Sequence, residues 1–400
     1  MSKWLPIKLG DIADFSNGIN FDKSSYCENG TYLIGVSDFG EELFPDYSTL
    51  RHIDSTIVRE CNLLKDGDIV FVRSNGNKAL VGRSMLIKNP PENTSFSGFC
   101  IRARIKNHES FDPLFFAYLF KSENFRKAIA GCSIGANIQN LSQGKLASYM
   151  AYVPSIEIQR KIADMLSAYD DLIENNRKQI KLLEEAAQRL YKEWFIDLRF
   201  PGYETTPIVN GVPEGWEKKP ISAIAEYLNG FAFKPSDWQQ EGKPIIKIKE
   251  MNQGVSDDTP RNDGANISLK YLIKSGDILF SWSATLSVMI WNHEEGWLNQ
   301  HLFKVIPEKG FAREFVLQSI ANTLKEFQNL TTGATMKHIQ RGKLDDVFVN
   351  VPTSLVMNRF AAYTEPIRNK ILILSKQIED IQETRNRLLP KLMNGEFEVE

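Results

Sequence analysis

The chain of 400 residues contains an internal duplication, and this feature constrains the fold more than any other. Blocks of the first half recur in the second half, in the same order, at offsets of 212, 209 and 198 residues. At the first offset Trp4, Ile12, Ala13, Asn17, Gly18 and Phe21 match Trp216, Ile224, Ala225, Asn229, Gly230 and Phe233. At the second, residues 63–71 match 272–280, and at the third Gly144-Lys145-Leu146 matches Gly342-Lys343-Leu344. The matches indicate two related halves, the second with shorter loops.

Each half consists of a globule followed by a long helix. β-Branched and aromatic runs predict strands over 68–73, 98–105, 244–249, 277–282 and 286–291. Helices are predicted at equivalent places, over 111–130 and 311–329. We therefore expect mixed α/β globules at 1–155 and 215–352, long helices at 156–199 and 353–397, and a proline- and glycine-rich linker at 200–214.

The two long helices carry matching heptad stripes. Steps of four and three residues alternate along Ile162, Leu166, Tyr169, Ile173, Asn176, Ile180, Leu183, Ala187, Leu190 and Trp194. Adding 198 gives Phe360, Thr364, Ile367, Ile371, Leu374, Ile378, Ile381, Arg385, Leu388 and Leu392. Such stripes are typical of coiled-coil seams, in which polar residues such as Asn176 and Arg385 fix the register. Pro366 is expected near the first turn of the second helix or at a kink.

Two interpretations of the stripes are open. Each helix packs on its own globule, or the two helices pair with each other. If they pair antiparallel, the duplicated globules lie at opposite ends of a rod and an approximate two-fold axis relates the halves.

Composition narrows the class of protein. Apolar residues make up 42% and charged residues 24% of the chain, with a formal net charge of −2, as in ordinary soluble proteins. Neither a membrane span nor a signal-peptide pattern is present, so we expect a cytoplasmic protein. The four cysteines and five histidines lack metal-ligand spacing, and we expect no metal and no cofactor.

Motifs for catalysis are few. Asn89-Pro90-Pro91 is followed by Glu92 instead of the aromatic residue of adenine methyltransferase motifs, which favours a proline turn. The chain has no Gly-x-x-x-x-Gly-Lys-Ser/Thr loop, which argues against an intrinsic ATPase. We therefore expect no catalytic residues.

A set of short motifs occurs in the same order in both halves, except for one motif found only in the second half. It comprises Gly-Asp-Ile at 67–69 and 276–278, the segments 135–146 and 332–344, Val-Pro pairs at 153–154 and 351–352, and, in the second half, Pro213-Glu214-Gly215-Trp216. The set resembles the specificity subunits of type I restriction-modification systems over nearly the whole chain. The first half departs from it by opening with Trp4-Leu5-Pro6-Ile7.

The resemblance implies an α+β fold. Two mixed α/β target-recognition domains would lie at opposite ends of two long antiparallel coiled-coil helices, in an internal pseudo-two-fold repeat. It implies a non-catalytic subunit whose domains each recognise one half of a bipartite, asymmetric DNA target. The implied partners are double-stranded DNA, two modification (methyltransferase) subunits and restriction (motor-nuclease) subunits, which hold S-adenosylmethionine, ATP and magnesium. The helices would dock the methyltransferases and set the half-site spacing.

Base reading favours side chains that form paired hydrogen bonds, as Arg and Lys do with guanine and Asn and Gln with adenine. In the first globule the candidates are Arg73, Asn75, Asn77 and Lys78 after a predicted strand, and Asn137, Gln139, Asn140 and Lys145 before a short helix. In the second globule they are Ser281, Ser283 and Thr285, and Lys337, His338, Gln340, Arg341 and Lys343. A purely structural loop is the other interpretation of the segments before the short helices. Lys247 and Lys249, expected to alternate on a strand, are weaker candidates for contacts with the phosphate backbone, and surface solubility explains them equally well.

Two other functions remain open. One is a coiled-coil interaction protein with duplicated ligand-binding globules and no DNA binding. The near-neutral charge favours it, since phosphate contacts normally require a basic surface. The other is a fused modification-restriction enzyme, which would need the missing catalytic motifs.

Overall fold

The computed structural model describes residues 4–40, 42–77, 80–130, 139–256, 258–283, 285–329 and 341–397. The chain divides into two compact units. The first unit is Met1–Ile173 with Ile381–Glu400, and the second unit is Glu174–Asp380. Each unit therefore contains one globule and parts of both long helices.

Among the described residues, the first half contains twelve short strands and five α-helices, besides several 3-10 turns. The strands are β1 (Leu5–Lys8), β2 (Ala13–Asn17), β3 (Tyr26–Cys27), β4 (Thr31–Ile34), β5 (Arg51–Ile53), β6 (Ile69–Val72), β7 (Ser74–Asn75), β8 (Ser84–Leu86), β9 (Thr94–Phe96), β10 (Cys100–Ile105), β11 (Gln139–Asn140) and β12 (Met150–Val153). The helices are α1 (Leu9–Ile12), α2 (Pro113–Lys121), α3 (Glu123–Ala130), α4 (Gln143–Ser148) and the long α5 (Ile156–Tyr191).

The second half has a related order, with two extra strands before its globule and one helix where the first half has α2 and α3. Its strands are β13 (Ile208–Val209), β14 (Val212–Pro213), β15 (Glu217–Pro220), β16 (Ala225–Asn229), β17 (Lys243–Ile246), β18 (Arg261–Asn262), β19 (Leu272–Ile273), β20 (Ile278–Ser281), β21 (Ser287–Ile290), β22 (Gly296–Leu298), β23 (Leu302–Pro307) and β24 (Phe348–Val351). Its helices are α6 (Ile248–Gln253), α7 (Arg313–Asn329) and the long α8 (Ser354–Met393). None of the helices that the structure describes has the length and apolar character needed to span a bilayer.

The two globules share one sheet topology, which confirms the duplication. A four-stranded antiparallel sheet has the order β2-β10-β6-β8 in the first half and β16-β23-β20-β21 in the second. The entry and exit strands also pair alike, with Leu5 opposite Val153 and Glu217 opposite Val351. A second sheet in each globule contains one parallel pair, β4 with β9 and β17 with β22. The mixed α/β class expected for each globule is confirmed.

The glycine of the shared Asn-Gly sequence lies where two backbones almost touch. A Cβ atom on Gly18 would lie 2.2 Å from the carbonyl oxygen of Phe96. On Gly230 it would lie 2.2 Å from the carbonyl oxygen of Asn299. Any larger residue would force these segments apart, which explains why both halves carry glycine here.

The Gly-Asp-Ile motif forms the turn that leads into the central strands β6 and β20. Gly67 and Gly276 adopt positive φ angles of 83° and 94°, which glycine adopts without steric cost. The carboxylates of Asp68 and Asp277 accept hydrogen bonds from the backbone N–H three residues earlier, at 2.7 and 2.8 Å. The motif is therefore a structural turn in both halves.

Each motif aspartate also binds a cation from the neighbouring central strand. Arg104 Nε lies 2.7 Å from Asp68 Oδ1, and this contact raises the pKa of the Arg104 guanidinium. Lys304 Nζ lies 2.6 Å from Asp277 Oδ2. The cations come from strand positions that do not correspond, so the two halves preserve the ion pair with different residues.

Asp68→Ala is expected to lower the free energy of unfolding of the first unit by about 2–3 kcal/mol. Breaking a buried pair costs roughly 3–5 kcal/mol, and the partly exposed Arg104 recovers some solvation. Asp14→Ala is the matched control, because Asp14 and its partner Lys106 are exposed at 3.2 Å. Its loss should stay below about 1 kcal/mol. Urea unfolding of both variants measures the difference, and equal losses would contradict this account.

Both long helices contribute to the core of each unit. In the first unit Ile162 and Leu166, near the start of α5, belong to one apolar cluster with Leu392 at the end of α8. In the second unit Trp194, just beyond α5, clusters with Phe360 near the start of α8. The start of one helix and the end of the other thus meet in each unit, as antiparallel pairing predicts. All twenty stripe positions are buried or half-buried, which confirms the seam.

One predicted helix is wrong in extent, and one of the two alternatives for Pro366 is excluded. The helix expected over 111–130 is broken at Ser122, whose ψ of 146° is extended, so α2 and α3 are separate. Pro366 does not lie in a first turn, because α8 already begins at Ser354. A proline inside a helix removes one backbone hydrogen-bond donor from the ladder.

The strand expected to carry Lys247 and Lys249 ends at Ile246, and α6 follows. The Glu250 carboxylate accepts a hydrogen bond from the backbone N–H of Lys247 at 3.1 Å and so caps the helix start. Lys249 pairs with Asp258 at 2.6 Å, and this hydrogen bond lowers the pKa of Asp258 to about 2. The predicted alternation of the two lysines on a strand is therefore wrong.

Candidate nucleic-acid interface

The two candidate segments of the first globule meet in the structure. Ser74 and Asn75 form β7, which pairs antiparallel with β11, so that Asn75 lies opposite Gln139 and Ser74 opposite Asn140. The Asn75 side-chain oxygen accepts a hydrogen bond from the backbone N–H of Asn77 at 2.7 Å. This Asx turn closes the segment 73–77, which we name the first reading turn.

Arg73 anchors the first reading turn to the sheet. Its backbone N–H donates to the carbonyl of Phe99 at 2.7 Å, and its own carbonyl accepts from Leu141 N–H at 2.9 Å. Its guanidinium donates through Nη1 to the Gly98 carbonyl at 3.2 Å. Arg73 is half-buried, whereas Asn77 and Asn140 are exposed. Asn77 therefore lies on an arginine-anchored turn, and Asn140 lies on the strand that pairs with it.

Lys145 has a structural partner. It lies in α4, whose first turn is capped by Ser142 Oγ, the acceptor of the Lys145 backbone N–H at 3.2 Å. Its ammonium donates to the carbonyl of Ile129 at the end of α3. Its counterpart Lys343 pairs with Asp346 at 2.7 Å. Both lysines engage local acceptors, which fits the structural interpretation of these segments.

The second globule presents a different turn at the equivalent place, and we name its described residues, 281–283 and 285, the second reading turn. Ser281 and Ser283 are buried. Ser281 Oγ donates to the Thr285 carbonyl at 2.7 Å and thereby closes the turn. Thr285 is exposed. The two serines therefore shape the turn, and Thr285 is the candidate side chain at its surface.

The structure describes the remaining candidates only in part or not at all. Outside the described residues are Lys78, Asn137, Lys337, His338 and Gln340. The backbone of Gln139 lies in β11, and the backbone of Arg341 begins a 3-10 turn that ends at Asp345.

The structure adds one pair of positions that the sequence comparison missed. Isolated bridges place Ile19 beside Ser97 and Phe231 beside Asn299, which gives a further offset of 202 residues. Two positions later this offset makes Phe99 equivalent to His301. Phe99 is 62% exposed beside the first reading turn. His301 contacts the Trp282 ring of the second reading turn, with centroids 6.1 Å apart.

Phe99 and His301 escaped detection because their surroundings share few identical residues. The segments Ser97-Gly98-Phe99-Cys100 and Asn299-Gln300-His301-Leu302 align only once the strands are paired. Their common signal is an aromatic ring just before the first residue of a long central strand. Among the described residues no cluster of histidine, cysteine, aspartate or glutamate is suited to hold a metal ion.

The fold and the two turns define a class of protein. Two like-built α/β globules present chemically different turns from the same sheet position, and two long helices run through the units. Comparison with known proteins gives this class a family. The model of the type I restriction modification DNA specificity domain matches residues 1–185 and 213–383. The chain belongs to this family and contains two such domains.

Relatives and solved structures agree with the family. The chain is 27% identical to the type I restriction enzyme MjaIX specificity subunit of Methanocaldococcus jannaschii, over 88% of this chain and 82% of the relative. It is 24% identical to the HindI specificity subunit of Haemophilus influenzae, over 99% and 100%. The crystal structure of a type I restriction-modification S subunit from M. genitalium superposes with a TM-score of 0.54 at 14% identity, covering 98% of this chain and 96% of that chain. That structure supports the fold expected from the resemblance.

Proposed function

We propose that this chain is the DNA sequence-specificity subunit of a type I restriction-modification complex, in which each globule reads one half of a bipartite, asymmetric target. One observation carries the proposal. Equivalent turns on a duplicated scaffold bear unlike chemistry: arginine and amides in the first, a threonine with a tryptophan-histidine contact in the second. Different side chains on one scaffold are what two different half-site words require.

The chemistry of the first reading turn suits a major-groove edge. An asparagine amide offers a donor and an acceptor side by side, which matches adenine, and arginine matches guanine. The Asx turn and the Gly98 contact hold these groups before DNA arrives, so less conformational entropy is lost on binding. The proposed base-reading residues are Asn75, Asn77 and Asn140. Arg73 would read a base if its guanidinium released the Gly98 carbonyl and donated its hydrogen bonds to a base edge instead.

The second reading turn has fewer hydrogen-bonding groups. Thr285 can contact the methyl group of thymine or a base edge, and Trp282 and His301 add ring surface beside it. Buried Ser281 and Ser283 act through the shape of the turn. The second half-site word is therefore expected to depend more on shape and apolar contact than the first.

Catalysis is assigned to the partners. The proposed complex contains two modification (methyltransferase) subunits that dock on the long helices, and restriction (motor-nuclease) subunits that add cleavage. The present chain supplies target choice and scaffolding. Its near-neutral net charge fits a complex in which partner chains provide much of the grip on the phosphate backbone.

Domain exchange tests this function. Replacing residues 1–150 with the equivalent globule of another family member should change one half-site word and leave the other word and the gap intact. The chimera is assembled with its methyltransferase, and the methylated sites are read by methylome sequencing. Exchange of residues 215–350 is the matched experiment and should change only the other word. If either exchange altered both words, or neither, modular recognition would be wrong.

A further inference from the structure

Each globule holds a cation above an exposed aromatic ring at equivalent positions. Tyr26 and Trp238 are related by the offset of 212 residues and are 38% and 47% exposed. The Arg51 guanidinium carbon lies 5.2 Å from the Tyr26 ring centroid. Lys247 Nζ lies 4.2 Å from the centroid of the Trp238 ring. Such distances are those of a cation–π interaction.

The two cations come from unrelated places in the repeat. Arg51 begins β5, whereas Lys247 follows β17, where the first half has Gly35. The duplicated halves have therefore kept a cation over this ring while supplying it from a strand in one half and from a helix N-cap in the other. A contact rebuilt with different residues indicates a property needed in both globules.

The first pair lies beside the first reading turn. Tyr26, Arg51, Gly98 and Phe99 line one cavity of about 630 Å³. Gly98 is also the acceptor for the Arg73 guanidinium. The cavity thus connects the cation over Tyr26 with the turn that carries the base-reading amides.

The second pair is connected to the second reading turn through the backbone. The backbone N–H of Asn299 donates to the carbonyl of Ile246 at 3.1 Å, one residue before Lys247. Two residues after Asn299, His301 contacts the Trp282 ring. A short backbone connection therefore joins Lys247 to the second reading turn, as the cavity joins Arg51 to the first.

The charge of these two cations is not neutralised by a carboxylate within the part of the chain that the structure describes. Two lysines near Lys247 are neutralised by carboxylates: Lys243 pairs with Glu295 at 2.9 Å, and Lys249 pairs with Asp258 at 2.6 Å. An aromatic ring orients a cation but leaves its full charge, which suits binding of an anion.

We propose that Arg51 over Tyr26 and Lys247 over Trp238 are two phosphate clamps, each binding the DNA backbone next to its own half-site. The assignment rests on the proposed function. Phosphate contacts fix the register of a protein on the duplex and carry no direct sequence information. The clamps would therefore position the reading turns, whose amide and threonine side chains supply specificity.

Salt-dependent binding tests the clamps. The whole chain is assembled with its methyltransferase, and affinity for the cognate site is measured from about 50 to 200 mM salt. Arg51→Gln and Lys247→Gln should each reduce the slope of log affinity against log salt by about 0.9, and the double variant by about 1.8. The methylated word should stay unchanged. Arg51→Lys should restore the slope, because the charge is kept.

Lys88→Gln is the matched control. Lys88 Nζ lies 5.1 Å above the Phe44 ring in the same unit, but it does not line the cavity. The complex with Lys88→Gln should show the wild-type slope of log affinity against log salt. If the double variant kept the wild-type slope while the wild-type complex bound its site, the clamps would be refuted. A changed methylated word would refute them too, because the cations would then read bases. A wild-type complex with no site-specific footprint would instead refute DNA recognition itself.

Discussion

Glu314→Ala is expected to lower the free energy of unfolding of the second unit by about 3–5 kcal/mol, because it leaves a buried guanidinium without its carboxylate. Glu314 in α7 and Arg368 in α8 are both buried. Arg368 Nη2 and Nε donate to Glu314 Oε2 at 2.6 and 3.2 Å. Gln318 Nε2 donates to the other carboxylate oxygen at 2.8 Å. The carboxylate is therefore the centre of a buried network between globule and helix.

Urea unfolding of matched variants separates the penalty of an unpaired charge from the attraction of the pair. Glu185→Ala is the control, since half-buried Glu185 contacts the exposed Arg189 at 3.5 Å on α5, and its loss should cost less than about 1 kcal/mol. Replacing Glu314 and Arg368 together by methionine should cost much less than Glu314→Ala, because neither partner of the buried pair is then left without the other. If the double replacement cost as much as the single one, the explanation would be wrong.

The Glu314–Arg368 ion pair could not be predicted from the heptad periodicity of the long helices. The heptad spacing identifies α5 and α8 and their buried seam, because a coiled coil repeats its environment every seven residues. Arg368 lies one residue beyond the stripe position Ile367, and nothing in the spacing indicates that α7 supplies a carboxylate to it. Contacts between a helix and its globule depend on tertiary packing, which one sequence does not encode locally.

The corresponding junction in the first unit has the opposite charge on the helix. Asp170, 198 residues before Arg368, accepts a hydrogen bond from Tyr118 Oη at 2.5 Å and pairs with Arg385. Burial, with the nearby carboxylate, raises the pKa of Tyr118 well above its usual range, so the phenol stays a donor. Arg385, predicted to be a polar seam residue, therefore contacts the other long helix at Asp170. That partner could not be inferred from the heptad pattern, and a role of Arg385 in fixing the register stays a prediction.

The reading turns were predictable in position and less so in detail. The match of 63–71 with 272–280 locates both turns at the ends of equivalent strands. It does not show that β7 pairs with β11, since two-residue strands have no periodicity. It also does not show that Ser281 points inward. Turn side chains take their orientation from local hydrogen bonds such as Ser281 Oγ to Thr285 O, and these follow from the folded backbone.

The sequence around Lys247 and Lys249 contains helix-capping signals that should have outweighed the strand prediction. The run Ile245-Ile246-Lys247-Ile248-Lys249 alternates like a strand at its end. Glu250, three residues after Lys247, and Gly254 at the end of α6 are the start and stop signals of a short helix. Over six residues, caps are better guides to structure than alternation, because one turn of helix and a strand end expose the same pattern.

Lengthening both long helices by one heptad is expected to abolish recognition of the native site and to favour a target with a longer gap. Seven residues would be inserted after Lys178 and after Lys376, which are equivalent exposed positions of α5 and α8. A heptad preserves the stripe on both helices, so the seam remains continuous. It adds about 10 Å at roughly 1.5 Å per residue, or about three base pairs at about 3.4 Å each. The measurement is the affinity of the complex, assembled with its methyltransferase, for cognate half-sites separated by a series of gaps. The preferred gap should lengthen, and both half-site words should be unchanged.

An insertion in α5 alone is the control, because it displaces one stripe against the other and should destabilise the protein without defining a new gap. If the double insertion kept the native gap as its best target, the helices would not set the spacing, whereas a changed half-site word would mean that the insertion had disturbed the globules themselves.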